Sequence, residues 1–492
     1  MFYQEMRIIA ALILFLISLP GNTQNRKEKF FPVYYIKYGS KPAVTHKAEY
    51  SAQFDLIISG YSFYDHWAEG GLNSWETLKK YNPGIMLALY QMGPSEYDVT
   101  RGGVLGDGWN WIRQNHGAKA GSERWTASGH KYPYLSNSNY PEERLMYIKN
   151  PDWQKYWTEN TYKYRYVDRL PQYKAADAIF SDNTNFIVAW PNAWYDENNP
   201  GKPEFKDHPK DYSTADGVYD NATWKNDMKS LLISSIKILA TKPIPVKLIL
   251  NFGYMGRNPE YWVELDTMKH TVFAAMEEGA FTNPWSKTFT IDNWETKIKV
   301  MKNLKNIVAL MNNTGRVPVG QGMSKMDTLM TEGNMGPATG WDALWFSMTS
   351  FLMALNEEKS NGMFGFTIWG YGENYYLDEY NPEYLHLGKP LGNYYIPASG
   401  PAKDIAFREY EDGWVVTSVP HTGKKLNVPV PKGKAYVVIH DNLKDPYTDN
   451  EVSKFDIGDN RGLILLKVGK KIGNQDNQNE PRRAKKMNTR IK

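Results

Sequence analysis

Phe54-Asp55-Leu56-Ile57-Ile58-Ser59 is an apolar run of strand length, and the residues that follow it set the fold. Ser74 stands where a helix N-cap belongs, ahead of Trp75 to Lys80. Asn82-Pro83-Gly84 stops that helix, and Ile85 to Tyr90 is a second apolar run. Strand, capped helix, Pro-Gly stop and strand make a β-α-β unit, which favours parallel pairing.

The same alternation runs outward from this unit. Phe31-Pro32-Val33-Tyr34-Tyr35-Ile36 precedes it as a first strand. Later strands are expected at Ala176 to Ser181, Val246 to Phe252, Thr271 to Met276, Val317-Pro318-Val319-Gly320-Gln321-Gly322, and Gly362 to Gly370. Helices are expected from Pro151, with Asn150 as N-cap, to about Val167, and over Trp224–Ala240, Trp294–Met311 and Asp342–Glu357. The stretch from Gln91 to Asn150, rich in Gly, Asn, Tyr and Trp, reads as a long substrate-side loop. Eight strands with intervening helices predict an α/β fold, a TIM (β/α)8 barrel over residues 27–398. An open doubly wound sheet is disfavoured, because no Gly-rich nucleotide fingerprint follows an early strand.

From Gly400 the pattern changes. Gly413–Val419, Lys425–Val430, Ala435–His440 and Gly462–Val468 are short strands without helices between them, so residues 400–469 predict a small C-terminal all-β domain. Residues 470–492 hold eight Lys or Arg against Asp476 and Glu480. This predicted disordered tail outweighs the formal net charge of +4, so the body is mildly acidic and offers no basis for nucleic-acid binding. At the other end, Arg7 precedes the twelve-residue apolar stretch Ile8 to Leu19, followed by Pro20-Gly21-Asn22-Thr23. That is the layout of a signal peptide over residues 1–24, too short to span a bilayer. No later run is long and apolar enough to be transmembrane. The chain has no Cys, which excludes disulfides, thiolate catalysis and a lipobox anchor. A periplasmic or extracellular bacterial setting is the expectation.

The candidate chemistry is carboxylate chemistry. Asp182 follows the fourth strand and Glu277-Glu278 the sixth, two β-α units apart. In a TIM barrel, catalytic groups come from the C-terminal ends of different strands. Two facing carboxylates are the equipment for cleaving a glycosidic bond, one ionised and one kept protonated. Alternation along a strand puts only one of the two Glu residues toward the barrel axis. We favour Glu278, with Glu277 in reserve. Tyr61, Asp65, Tyr90, Asn251, Gln321, Trp369 and Tyr371 follow or end other strands and are candidate substrate-binding residues. Each of them also has a plain structural reading as core filling or turn chemistry. The 17 Trp and 34 Tyr suit stacking on sugar rings, and equally suit a large barrel core. The chain contains neither a His-Glu-x-x-His nor a Walker A stretch, and its nine His are scattered, so no metal or cofactor is expected. Asp196-Glu197-Asn198-Asn199-Pro200-Gly201 has Pro at a ligand position of a calcium loop and reads as a loop only.

Several of these pieces resemble the hypothetical glycosyl-hydrolase-like TIM-barrel families of bacteria, of the type numbered fifteen. The similarity lies in Phe54-Asp55-Leu56-Ile57-Ile58, Trp75…Asn82-Pro83-Gly84, Ala178-Ile179-Phe180-Ser181-Asp182-Asn183 and Ala275-Met276-Glu277-Glu278-Gly279-Ala280-Phe281. It continues in Leu387-Gly388-Lys389-Pro390-Leu391 and Phe407-Arg408-Glu409-Tyr410-Glu411-Asp412-Gly413-Trp414-Val415-Val416. The resemblance implies a glycosidase barrel. The placement is also similar to retaining α-glycosidases whose nucleophile follows strand four and whose acid/base follows strand six. On that analogy Asp182 is the nucleophile and Glu278 the acid/base, in a secreted enzyme acting on a poly- or oligosaccharide. The alternatives are a non-catalytic carbohydrate-binding barrel and, behind it, a polysaccharide lyase.

Overall fold

The structure is a computed structural model, and it describes residues 29–37, 48–59, 75–97, 135–137, 143–146, 148–163, 177–187, 194–196, 221–270, 272–283, 288–315, 326–327, 338–356, 361–368, 375–381, 387–419, 425–438 and 450–469. Eight strands make one all-parallel sheet: β1 Tyr34–Lys37, β2 Leu56–Ser59, β3 Met86–Met92, β4 Ala178–Asp182, β5 Lys247–Asn251, β6 Ala274–Glu277, β7 Val308–Thr314 and β8 Gly362–Thr367. They neighbour one another in chain order. The sheet closes where Val33 bridges Phe364 in parallel, with Phe364 N–H donating to Pro32 O at 2.9 Å. This is the expected TIM barrel.

Strand alternation sorts the apolar residues into two cores. Tyr34, Ile36, Leu56, Ile58, Ala88, Ala178, Phe180, Ile249, Ala274, Met276 and Leu310 fill the barrel interior. Their neighbours Tyr35, Ile57, Leu87, Ile179, Leu250, Ala275 and Ala309 belong to the larger core, which includes buried residues of the helices. Those helices include α1 Trp75–Tyr81, α2 Pro151–Tyr162, α3 Asn221–Ala240, α4 Pro259–Thr267, α5 Trp294–Asn303 and α6 Gly340–Ala354. Asn150 caps α2 as expected, its Oδ1 accepting from Asp152 N–H at 2.9 Å. Thr339 and Asp342 form a capping box on α6.

Two aspartates pin the N-terminal ends of the strands. Asp55 accepts from Val33 N–H at 2.9 Å and pairs with Lys29 at 2.7 Å. Asp177 accepts from Leu87 N–H at 2.9 Å and from Lys79 at 2.7 Å. Each ties its own strand to the preceding one.

The seventh strand corrects the sequence reading. A helix was expected over Trp294–Met311, with Asn312-Asn313-Thr314-Gly315 as its stop and the strand at Val317–Gly322. The helix ends at Asn303, and Val308–Thr314 is β7. Leu304 breaks the helix with extended backbone. The carboxylate of Asp266, at the end of α4, then accepts from the N–H groups of Lys305, Asn306 and Ile307. That bend comes from a residue 39 positions upstream of Lys305, and the apolar run Ile307–Met311 continues the helical spacing closely enough to hide it. Residues 317–322 lie outside the described residues, as do the N-terminal apolar segment and the basic tail.

Between β3 and β4, the stretch read as irregular contributes Ser95–Tyr97, Leu135–Asn137 and Glu143–Leu145. With Trp194–Asp196 these make a four-stranded antiparallel sheet on the rim where β3 and β4 end.

The C-terminal unit is all β: β9 Ile405–Glu409, β10 Gly413–Ser418, β11 Leu426–Pro429, β12 Ala435–Val437, β13 Lys454–Ile457 and β14 Arg461–Lys467. Strands β9-β10-β14-β12 form one antiparallel sheet, and β11 pairs with β13. The sheet docks on α6 so closely that a Cβ on Gly462 would meet Trp345 O at 2.2 Å. Arg408 donates to Leu352 O and Leu355 O at the end of α6, and Tyr410 also donates to Leu352 O. Arg461 pairs with Asp342 at its start, 2.9 Å away.

After β8, a single 3-10 turn, Asp378–Tyr380, buries Glu379 completely. Neither of its carboxyl oxygens has a hydrogen-bond partner among the described residues. Burial raises its pKa to about 8, against a pull down from its own backbone N–H and with a further push up from Asp378. Among the described residues no helix is long and apolar enough to cross a membrane.

Candidate active site

The barrel's parallel strands all end on one rim, and inward-facing positions there continue the interior rows. Phe180 leads to Asp182, Ala88 to Tyr90, Ile249 to Asn251 and Met276 to Glu278. These four side chains meet. Asn251 Nδ2 donates to Asp182 Oδ1 at 2.8 Å and to Glu278 Oε2 at 2.9 Å. Tyr90 O–H donates to Asp182 Oδ2 at 2.5 Å. The backbone N–H of Asn183 gives Asp182 Oδ1 a further bond at 2.9 Å.

One nitrogen contacting both carboxylates bounds their separation. The two accepting oxygens are no more than about 5.7 Å apart, and about 5 Å if each takes one N–H of the planar amide. Retaining glycosidases hold their carboxyls roughly 5–5.5 Å apart and inverting ones roughly 6.5–9.5 Å.

The backbone around Asp182 is built to hold it. Asn183 adopts left-handed φ of 50°, which asparagine tolerates. Thr184 folds back, its N–H on Asn251 O at 3.1 Å and its hydroxyl on Asp182 O at 3.0 Å. Gly93 packs against this turn, where a Cβ would sit 2.0 Å from Thr184 Oγ1. Burial pushes the Asp182 carboxyl above its ordinary value of 3.8, while the bonds from Tyr90, Asn251 and Asn183 pull it back. Donors aimed at a carboxylate favour its ionised form.

Tyr34 stands inside the barrel close enough to Glu278 to feel its charge. Burial first, and that charge second, keep its phenol protonated well beyond the ordinary range. A Cβ on Gly365 of β8 would lie 2.6 Å from the Tyr34 ring, so the missing side chain makes room for it.

Glu277 faces the other way. It is 5% exposed, and its Oε2 accepts from Met255 N–H at 2.9 Å in the loop after β5. Its Oε1 lies 3.8 Å from Lys297 Nζ of α5. Burial raises Glu277 and lowers Lys297.

Of the expected substrate-binding residues, Tyr90 and Asn251 reach the carboxylates. Tyr61, Asp65, Gln321, Trp369 and Tyr371 lie outside the described residues. Strand β7 ends with Asn312, Asn313 and Thr314. Sequence reasoning missed Tyr34 and Asn313. Asn313 Oδ1 accepts from Phe281 N–H and Thr282 N–H, tying the turn after Glu278 to β7. Among the described residues no group of His, Cys, Asp and Glu could hold a metal ion.

No family model matches the chain, and no curated protein does either. Among solved structures it is similar to a debranching enzyme from Nostoc punctiforme, at 11% identity over 85% of this chain and 86% of that one, TM-score 0.38. It is similar to an isomaltulose synthase from a Klebsiella species, at 10% identity over 91% and 100%, TM-score 0.40. A xylosidase from Aspergillus niger aligns at 10% identity over 91% and 66%, TM-score 0.43. All three are carbohydrate-active by name. At scores this low the likeness carries nothing about activity, and the barrel rests on its own strand order.

Proposed function

We propose that the protein is a glycoside hydrolase of the retaining kind, with Asp182 as nucleophile and Glu278 as acid/base. The single observation that supports this most is the Asn251 amide shared by the two carboxylates, which keeps their oxygens within the short separation that retention needs. Asp182, held by three donors, suits attack on the anomeric carbon; the bond to the leaving oxygen breaks as Glu278 delivers its proton there. Water then displaces the sugar from Asp182, and Glu278 takes the water's proton. The substrate is a poly- or oligosaccharide, and the resemblance to the bacterial family numbered fifteen belongs to this reading. So does secretion, which the apolar segment Ile8–Leu19 supports.

Asp182→Asn and Glu278→Gln should each abolish release of reducing sugar from a glycan panel, with unchanged circular dichroism. Proton NMR of the first-formed sugar should show the anomer of the substrate. Full activity in either variant removes that residue, and an inverted first product removes the retaining mechanism. Glycan binding by calorimetry with no sugar released would make the barrel a binding protein.

A further inference from the structure

The Glu278 carboxyl is aimed by a very short turn. Gly279, at φ +71°, takes the left-handed conformation that favours glycine, and a Cβ there would meet Asn283 at 3.2 Å. Such a turn points its neighbours correctly only if both of its ends are fixed. Inside the helix layer, one side chain reaches both ends. Lys297 Nζ donates to Ala280 O at 2.5 Å, two residues after Glu278, and lies 3.8 Å from the Glu277 carboxylate, one residue before it. The same carboxylate holds Met255 N–H, four residues after Asn251.

Gly256 packs against the stem of Lys297: a Cβ there would stand 2.9 Å from Lys297 Cε and 3.0 Å from Asn293 Cβ. Lys297 is 3% exposed, a burial that lysine seldom accepts without a specific partner. Arg257 and Asp292 are its other charged neighbours and act in opposite directions.

We propose that Lys297 is a positioning residue for Glu278, gripping from the helix layer the two ends of the turn that presents the acid/base. This rests on the reading of Glu278 given above. Lys297 never meets substrate. Its loss lets the carboxyl drift, and a displacement of about 1 Å at a reacting centre can cost about a hundredfold in rate.

The test exploits the leaving group. A 2,4-dinitrophenyl glycoside departs without protonation, whereas a phenyl glycoside of the same sugar needs the acid. In the full chain, Lys297→Met should lower kcat/KM, which reports the first, acid-assisted step, on the phenyl glycoside by at least about tenfold and on the dinitrophenyl glycoside by less than about threefold. Lys297→Arg, which keeps charge and donors, should recover part of the loss. Should Lys297→Met fail to fold, Glu277→Gln removes the other half of the grip and should show the same discrimination, more weakly. Equal losses on both glycosides, or none, overturn the proposal. Glu278→Ala separates the two levels of inference. If it shows the discrimination and the Lys297 and Glu277 variants do not, only the positioning role fails. If Glu278→Ala shows none, or the wild type cleaves no glycoside, the acid/base reading falls and takes this role with it.

Discussion

The completely buried Glu379 makes stability depend on pH in a direction opposite to most acidic residues. Its carboxyl has a folded pKa of about 8 against an ordinary 4.5, because burial disfavours the charge by more than its own backbone N–H favours it. Below about pH 4.5 both folded and unfolded chains hold the proton, and the group contributes no pH dependence. Between about 4.5 and 8 the unfolded chain gives up its proton while the folded one keeps it. Stability therefore falls as pH rises, by about 1.4 kcal/mol per unit, and levels off above 8. The full span is about 5 kcal/mol, an upper bound because water entry and relaxation soften such penalties. Glu379→Gln keeps the shape and removes the titration. Urea denaturation of wild type and variant at pH 5 and pH 9 gives two differences in stability. Subtracting one from the other cancels any constant cost of burying the amide. The variant should gain about 3–5 kcal/mol relative to wild type on going from pH 5 to pH 9. A change under about 1 kcal/mol would refute the claim that burial keeps this carboxyl protonated.

Tyr90→Phe deletes one donor to the ionised form of Asp182. A hydrogen bond to a charged group is worth about 1.5–3 kcal/mol, so the acidic limb of the kcat/KM profile, where activity is lost as pH falls, should move up by about 1–2 units. An unmoved limb would take Asp182 out of that titration. Arg408→Met leaves Leu355 O and Leu352 O at the end of α6 without the guanidinium. It should cost about 2–4 kcal/mol in denaturant unfolding, with little change in KM; a loss below about 0.5 kcal/mol would show that the sheet docks without it.

The barrel was legible where local pattern and burial agree. The run from Phe54 to Tyr90 is strand, helix, stop and strand in both sequence and structure. Counting positions along β6 separates Glu278 from Glu277, because Met276 fills the barrel and its second neighbour must share that side. Strand β7 was hidden because the signal that ends α5 is the Asp266 carboxylate, which pattern reading cannot bring to Lys305 across the fold. Asn313 and Lys297 escaped for the same reason. An asparagine in an Asn-Asn-Thr-Gly stretch resembles turn material, and a lysine in an amphipathic helix resembles a solvated one. Their roles exist only through partners brought near by the closed barrel. The long Gln91–Asn150 stretch hid short strands whose partner, Trp194–Asp196, lies beyond β4.

The divided Asn251 amide has a consequence over a whole turnover. Under the proposed mechanism the negative charge begins on the aspartate and, once the sugar is esterified there, resides on the glutamate. One NH2 touching both can lean toward whichever oxygen is charged at the time. The support thus travels with the charge and needs no moving loop, and each half-reaction readies the enzyme for the other.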